Sequence, residues 1–393
     1  MSITNLTKNF CPAPFRQISI GPKGELTPCC VINDVGFGQV TEDSVNASLT
    51  DLINGKEWQG FLQAHKDEQM PEICKKYCSM SGSTAEYHNQ WNWAIRDNWV
   101  EKEYKIVRAD ISFSNICNLT CTMCNEVFSS EWGKLKPELN SQTWNFSSNQ
   151  AKELALLVKD CNVINIKGGE PLMNQRFLTF LQELSKLSTR PHIPVLSNGT
   201  TMNDEILEEL SKFNSPTIAF SLESTDDKLY SFIRGGDFTY SKDIVPNLKY
   251  IKEKFPNIRI KTNYLIGAFN IENMFTDMEK LIEDGFDELN VILITAGPDE
   301  QSLNIVRPRV KNPMSERFLK FVDDHKEHFG TLIKDNVHNN VANELASSSF
   351  NMLPDRLLQD KINSVMHFRN KQGLNLNTQI TDLVPNYFSN MIE

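Results

Sequence analysis

No stretch of this sequence approaches the roughly 20 consecutive apolar residues that a helix needs to cross a bilayer. The opening MSITNLTKNFCPAPF also lacks the basic-then-apolar order of a secretory signal. A basic excess is missing too: 40 Lys and Arg stand against 50 Asp and Glu, a formal charge of −10. Proteins that coat DNA or RNA use such an excess to displace counterions from phosphate, so bulk charge argues against that class but not against a nucleotide substrate. Internal repeats and extended low-complexity tracts are absent. The expectation is a cytoplasmic protein with no membrane contact, long enough at 393 residues for two or three domains.

Cysteine is missing after residue 161, so any thiol chemistry belongs to the front of the chain. Nine cysteines, an odd number, make a poor disulfide framework, and in a reducing compartment clustered thiols are metal ligands or catalysts. Cys11, Cys29, Cys30, Cys74 and Cys78 are dispersed, Cys117, Cys121 and Cys124 crowd into ICNLTCTMC, and Cys161 stands alone. The tight CxxxCxxC set puts three thiolates on one short loop, enough for three irons of a cubane with the fourth left without a protein ligand. A structural zinc site is closed by four ligands, and no His or Cys follows within a few residues to close this one.

Residues 105–295 alternate short apolar runs with amphipathic stretches. The runs are IVRADISF, NVINIKGG, IPVLSNGT, TIAFSLES, IRIKTNYLIG and ELNVILIT. Six strands separated by helices predict a parallel sheet with right-handed crossovers. In such folds chemistry gathers at the carboxyl ends of the strands. The cysteine loop follows the first strand, Gly168, Gly169, Glu170 and Pro171 the second, Ser197 and Asn198 the third, and Ser221 and Glu223 the fourth.

The CxxxCxxC loop after one strand and GGEP after the next resemble the radical S-adenosylmethionine (SAM) enzymes over about residues 105–300. The resemblance implies an α/β fold, a partial (β/α)6 TIM-like barrel. Its [4Fe-4S] cluster would be held by Cys117, Cys121 and Cys124, with SAM on the open iron. An electron from a low-potential donor, flavodoxin or ferredoxin, would cleave SAM to a 5′-deoxyadenosyl radical that abstracts hydrogen from a substrate. Gly168, Gly169 and Glu170 would meet the methionine ammonium, Ser197 and Ser221 the carboxylate or ribose, and Arg234 the carboxylate. Met123 stands where relatives commonly carry an aromatic residue, and its backbone would face adenine. The competing reading of the Ser197 and Ser221 motifs is helix capping.

Cys11, Gly24 and Cys29, closed by Cys74 and Cys78, resemble the SPASM or twitch auxiliary-cluster domains, which usually follow the barrel and here precede it. This implies a second [4Fe-4S] cluster; a four-cysteine zinc site is the alternative. Cys30 competes with Cys29 as ligand. The expected organisation is 1–83 auxiliary domain, 84–104 helical connector carrying Trp91, Trp93 and Trp99, 105–300 barrel and 301–393 helical extension. The auxiliary domain implies a peptide or protein substrate that is oxidised, crosslinked or epimerised. A small amino-acid or nucleotide-derived metabolite is the second reading, and a non-catalytic iron–sulfur or zinc interaction protein the third. Glu223, Asp226, Asp227 and Tyr264 are expected near the rim without an assigned catalytic base, and Cys161 in the core.

Overall fold

A computed structural model describes residues 11–30, 32, 37–38, 48–80, 104–139, 143–295, 298–334, 336–347, 355–370, 380–387 and 390. The expected connector lies outside the described residues apart from Tyr104, and so do Trp91, Trp93 and Trp99. The chain divides into two compact units, Met1–Ile116 with Gln142–Leu196 and Asn203–Pro216, and Cys117–Ser141 with Ser197–Met202 and Thr217–Glu393.

The first unit carries β1 (Gln17–Ile20), β2 (Leu26–Thr27), β3 (Arg108–Ser112), β4 (Val163–Lys167) and β5 (Pro194–Ser197), in the order β2-β1-β3-β4-β5. Its main helices are α1 (Lys56–Lys66), α2 (Glu72–Met80), α3 (Ser148–Leu157), α4 (Gln175–Ser185) and α5 (Asp204–Leu210). β3 runs parallel to β4, and β4 to β5. Phe113, at the end of β3, packs within 5.1–5.5 Å, centroid to centroid, of Phe146, Phe177 and Phe180, so α4 closes over an aromatic core. α3 begins with a capping box, Ser147 and Gln150 each satisfying the other's backbone.

The second unit carries β6 (Thr217–Leu222), β7 (Arg259–Ile266) and β8 (Glu288–Leu293), all parallel and in chain order. With them come α6 (Asp227–Arg234), α7 (Val245–Lys254), α8 (Met274–Asp284), α9 (Pro308–Asp324), α10 (Val337–Leu345) and α11 (Asp355–Asn370). All six apolar runs form strands, β3 to β8, and the chain past residue 300 is helical where described. Along β7 buried residues alternate with half-exposed ones, which is the period of two that one covered face dictates.

The leading segment departs from its expected separateness. β1 pairs in parallel with β3, from Gln17 opposite Arg108 to Ile20 opposite Ile111, so this segment supplies two strands of its own. QISI is four residues long and buried throughout, which leaves no alternation by which a strand is read from sequence.

At the start of β8, Glu288 is 2% exposed and takes Lys261 Nζ at 2.8 Å, Arg259 Nη2 at 3.0 Å and the Thr331 amide at 3.1 Å. Burial disfavours the charge, but the hydrogen bonds from Lys261 and Thr331 and the two cations outweigh it and hold the carboxyl below its usual range. A carboxyl depressed in the folded state stabilises the fold above its unfolded-state pKa, and that contribution is lost as pH falls through the folded value. Glu288→Gln is therefore expected to lower the unfolding free energy at neutral pH by about 1–2 kcal/mol, with the gap to wild type closing in acid. Urea melts of both proteins at neutral pH and at about pH 3 check it.

Candidate active site

Residues 117–124 have neither helix nor strand, so buried side chains and the turn that follows set their path. The short helix Ser130–Leu135 folds back on them. The Cys117 amide donates to Ser130 Oγ at 3.2 Å, Ser129 Oγ donates to the Leu119 carbonyl at 2.7 Å, and Trp132 Nε1 donates to the Cys121 carbonyl at 2.9 Å. From the other side, the Thr122 amide donates to the Ile233 carbonyl at 2.7 Å, tying the loop to the end of α6.

Each thiol meets a polar neighbour. Asn198 Nδ2 lies 3.9 Å from Cys117 Sγ, Arg234 Nη1 3.7 Å from Cys121 Sγ, and Cys124 Sγ 3.7 Å from the Asn125 carbonyl. Burial pushes the Cys121 and Cys124 thiols up, and at Cys124 the charges of Cys121 and Cys117 push further, so the three sulfurs share one field. Among the described residues no three Cys, His or acidic side chains stand close enough to clasp an ion as they are. The donor set nonetheless suits an iron–sulfur cluster: three thiols on one loop, two of them, Cys121 and Cys124, disfavoured as bare thiolates, with a buried cation beside the most enclosed. A coordinated iron deprotonates such thiols outright. Met123 is half-buried between Thr122 and Cys124 in the chain.

Arg234 is buried and engaged. Its Nε and Nη2 meet the two carboxylate oxygens of Glu223 at 2.6 and 2.7 Å, a bidentate pair. The forked geometry expected for a SAM carboxylate is thus made with Glu223. Burial opposes the Arg234 charge, but Glu223 and Cys121 outweigh it and raise the guanidinium's affinity for its proton. Ser197 Oγ accepts from the Gly199 amide at 3.0 Å. Asn198 reaches Asn118 of the cysteine loop at 2.8 Å, and Asn118 reaches Thr200 at 2.9 Å. Helix caps fall elsewhere, on Asn203 for α5 and Asp226 for α6, so Ser197 and the half-exposed Ser221 are not cap residues.

Tyr264 lies on the covered face of β7. It is fully buried, and its hydroxyl donates to Asp277 at 2.8 Å, because the parity of β7 turns residues 260, 262, 264 and 266 to the covered face. Asp277 also accepts from the Thr225 amide and hydroxyl, at 3.0 and 2.6 Å, and so holds the turn after β6. Asp227 accepts from the Ser241 amide and hydroxyl.

In the first unit, Gly168 and Gly169 follow β4 with φ of +84° and +55°. A Cβ at Gly168 would overlap the Ser112 side chain, and one at Gly169 the Ile116 carbonyl, so both the conformation and the approach demand glycine. The Glu170 amide donates to that same Ile116 carbonyl at 2.7 Å, and the buried Glu170 carboxylate accepts from the Leu172 amide at 3.0 Å. Gly168, Gly169 and Glu170 are thereby locked to the residues just before the cysteine loop.

The leading cysteines are also gathered in part. Cys11, Cys29 and Cys74 are buried, and Cys29 and Cys74 share an apolar cluster with Ile32 and Phe61. Cys30 is half-buried, its thiol lowered to about 7, first by a hydrogen bond with Cys29 and then by Lys167 and Arg108 against burial and Asp110. Cys78 lies on α2, and its side chain is outside the described residues. Cys161 is buried just before β4. Sequence reasoning missed His65: its Nε2 lies 3.5 Å from Cys74 Sγ, and burial holds the imidazole down at about 4, hence neutral. Its signal was legible, since Trp58, Phe61, Leu62 and His65 form the buried stripe of α1.

Two outcomes follow. Gly169→Ala is expected to destabilise the protein by about 1–3 kcal/mol, whereas Gly60→Ala, in α1 with open space where its Cβ would stand, should stabilise it by about 0.5–1 kcal/mol; thermal melts of both check the contrast. Anaerobic reconstitution should load about eight irons per chain, falling to about four when Cys117, Cys121 and Cys124 are changed to Ala, by iron and sulfide analysis. Zinc in place of iron would contradict this.

The radical SAM superfamily profile matches residues 111–284, and the SPASM iron–sulfur cluster-binding domain matches residues 11–79. A GTP 3′,8-cyclase of Clostridium perfringens (strain SM101) is 22% identical over 218 residues, 54% of each chain. The sporulation killing factor maturation protein SkfB of Bacillus subtilis is 28% identical over 147 residues, 37% of this chain and 33% of its own. The chain spans about half the length of the cyclases it matches. Streptococcus suis SuiB bound to S-adenosylmethionine is 16% identical with a TM-score of 0.45, covering 70% of this chain and 62% of that one. No helix among the described residues is long and apolar enough to cross a membrane. The chain thus carries a SPASM iron–sulfur cluster-binding domain at residues 11–79 ahead of a radical SAM domain at residues 111–284, a pairing that marks an enzyme with SAM and [4Fe-4S] clusters as cofactors.

Proposed function

We propose that this enzyme modifies a peptide or protein, by oxidation, crosslinking or epimerisation begun by hydrogen abstraction. The observation that carries the reading is the SPASM match over residues 11–79, joined in one chain to the radical SAM match. The similarity to SkfB, a maturation protein by name, supports it. When bound, the cluster and SAM supply hydrogen-abstracting radical chemistry.

The chain's own residues then divide as follows. Cys117, Cys121 and Cys124 hold the SAM-binding cluster, with Asn198 and Arg234 against two of their sulfurs. Gly168, Gly169 and Glu170 meet the methionine ammonium, the glycines because only a bare backbone fits beside Ser112 and Ile116. Ser197 and Ser221 face the carboxylate or ribose, Arg234 supplies the cation on that side, and the Met123 backbone faces adenine. Cys11, Cys29, Cys74 and Cys78 hold the auxiliary [4Fe-4S] cluster. Cys29 is preferred over Cys30 because it shares the buried cluster of Cys74. A flavodoxin or ferredoxin delivers the electron.

A second reading rests on the GTP 3′,8-cyclase relatives, 22–26% identical to this chain, which favour a nucleotide. The reconstituted enzyme, given SAM and dithionite without oxygen, is to be offered GTP and, separately, a library of short synthetic peptides. A mass change in a peptide, with GTP intact, is expected. Conversion of GTP with every peptide unchanged would reverse the reading.

A further inference from the structure

Helix α11 presents Leu358, Ile362 and Arg369 as buried residues at spacings of four and seven, a stripe on which a guanidinium is out of place. Arg369 is 0% exposed. Its Nε donates to the Thr120 carbonyl at 3.0 Å and its Nη2 to the Ile233 carbonyl at 3.1 Å, while Nη2 also meets the Thr120 carbonyl and Nη1 the Phe232 carbonyl. Every one of these acceptors is a main-chain oxygen. Among the described residues no carboxylate pairs with Arg369.

The three carbonyls belong to two places. Thr120 immediately precedes Cys121 in the cysteine loop. Phe232 and Ile233 lie in the last turn of α6, where carbonyls lack intrahelical partners and the helix presents its negative end. Gly235, with φ of +70°, follows α6 so closely that a Cβ there would overlap Thr120 Oγ1 and stand 3.1 Å from Arg369 Nη2. One fork of donors therefore clamps the loop to the helix end that also carries Arg234.

Charge around Cys121 is also unequal. Arg234 is matched by the carboxylate of Glu223, whereas Arg369 adds a second buried cation that no carboxylate among the described residues matches. Burial lowers the Arg369 pKa to about 10 against a smaller opposing pull from Cys121, so it remains charged at neutral pH. In a low-dielectric surrounding, a fixed cation next to a thiolate-ligated cluster eases the addition of an electron.

We infer that Arg369 is the positioning residue of the SAM-cleaving cluster: through the Thr120, Phe232 and Ile233 carbonyls it fixes the loop that carries Cys121, and its buried charge raises the reduction potential of the cluster bound there. This rests on Cys117, Cys121 and Cys124 being the cluster ligands. It also gives the helical extension a part in the chemistry.

The test compares full-length Arg369→Gln, Arg369→Lys and a surface control, Arg356→Gln, whose side chain is 94% exposed. All are reconstituted anaerobically, and the EPR signal that changes on adding SAM is followed in a redox titration, which separates this cluster from the auxiliary one. Arg369→Gln should shift the midpoint potential of that signal downward and slow dithionite-driven 5′-deoxyadenosine formation by at least about tenfold. Arg369→Lys should keep the potential near wild type, and Arg356→Gln should match wild type in both. If Arg369→Gln instead loses the iron of this cluster while Arg369→Lys keeps it, and the metal-free proteins melt alike, the positioning role stands. A wild-type potential and iron content in Arg369→Gln would overturn the proposal, as would a collapse in the melting of both metal-free Arg369 variants, which would mark a folding role alone. Failure of wild type to form 5′-deoxyadenosine would instead strike at the cluster assignment.

Discussion

The loop that carries the three clustered thiols is neither helix nor strand, so each buried amide and carbonyl in it needs a partner from outside. That constraint organises the second unit. Ser129, Ser130 and Trp132 meet the loop's backbone from the chain just beyond it, and the end of α6 meets it through Ile233 and the Thr122 amide. Arg369 supplies the remaining donors for Thr120. The stiffness of the cysteine loop is thus borrowed from a short following helix, the helix after β6 and the C-terminal extension.

Electrostatics follows the same arrangement. Glu223 and Arg234 form a closed bidentate pair at the carboxyl end of β6, and Asp277 fastens the next residues of that turn through Thr225 while receiving the Tyr264 hydroxyl. Buried pairs of this kind contribute little net stability but are costly to break from one side, so they serve to define one geometry. In the first unit a neutral His65 stands against Cys74 in an apolar surround, a setting in which a bare thiol is unreactive.

Much of this was legible beforehand. The six strands show through their apolar runs, and the cysteine loop and GGEP declare themselves by spacing, each falling at the carboxyl end of its strand. Less visible were choices that depend on parity and partners. One residue of register decides which face of β7 Tyr264 occupies, and it turns the ring to the covered face against Asp277. Ser197 and Ser221 read equally well as caps until Asn203 and Asp226 took those places. β1 is too short and too uniformly buried to announce itself.

The sequence by itself determined the fold class, the six strands β3 to β8 and the clustering of the thiols, because these depend on local periodicity and on spacing within a few residues. Tertiary structure alone decided that Arg234 would face both Glu223 and Cys121, that His65 would lie against Cys74, and that an arginine 249 residues away would hold Thr120. Those contacts join segments whose separation along the chain carries no periodic signal; they arise only once buried carbonyls and sulfurs, cut off from water, must find donors among whatever side chains packing has brought near.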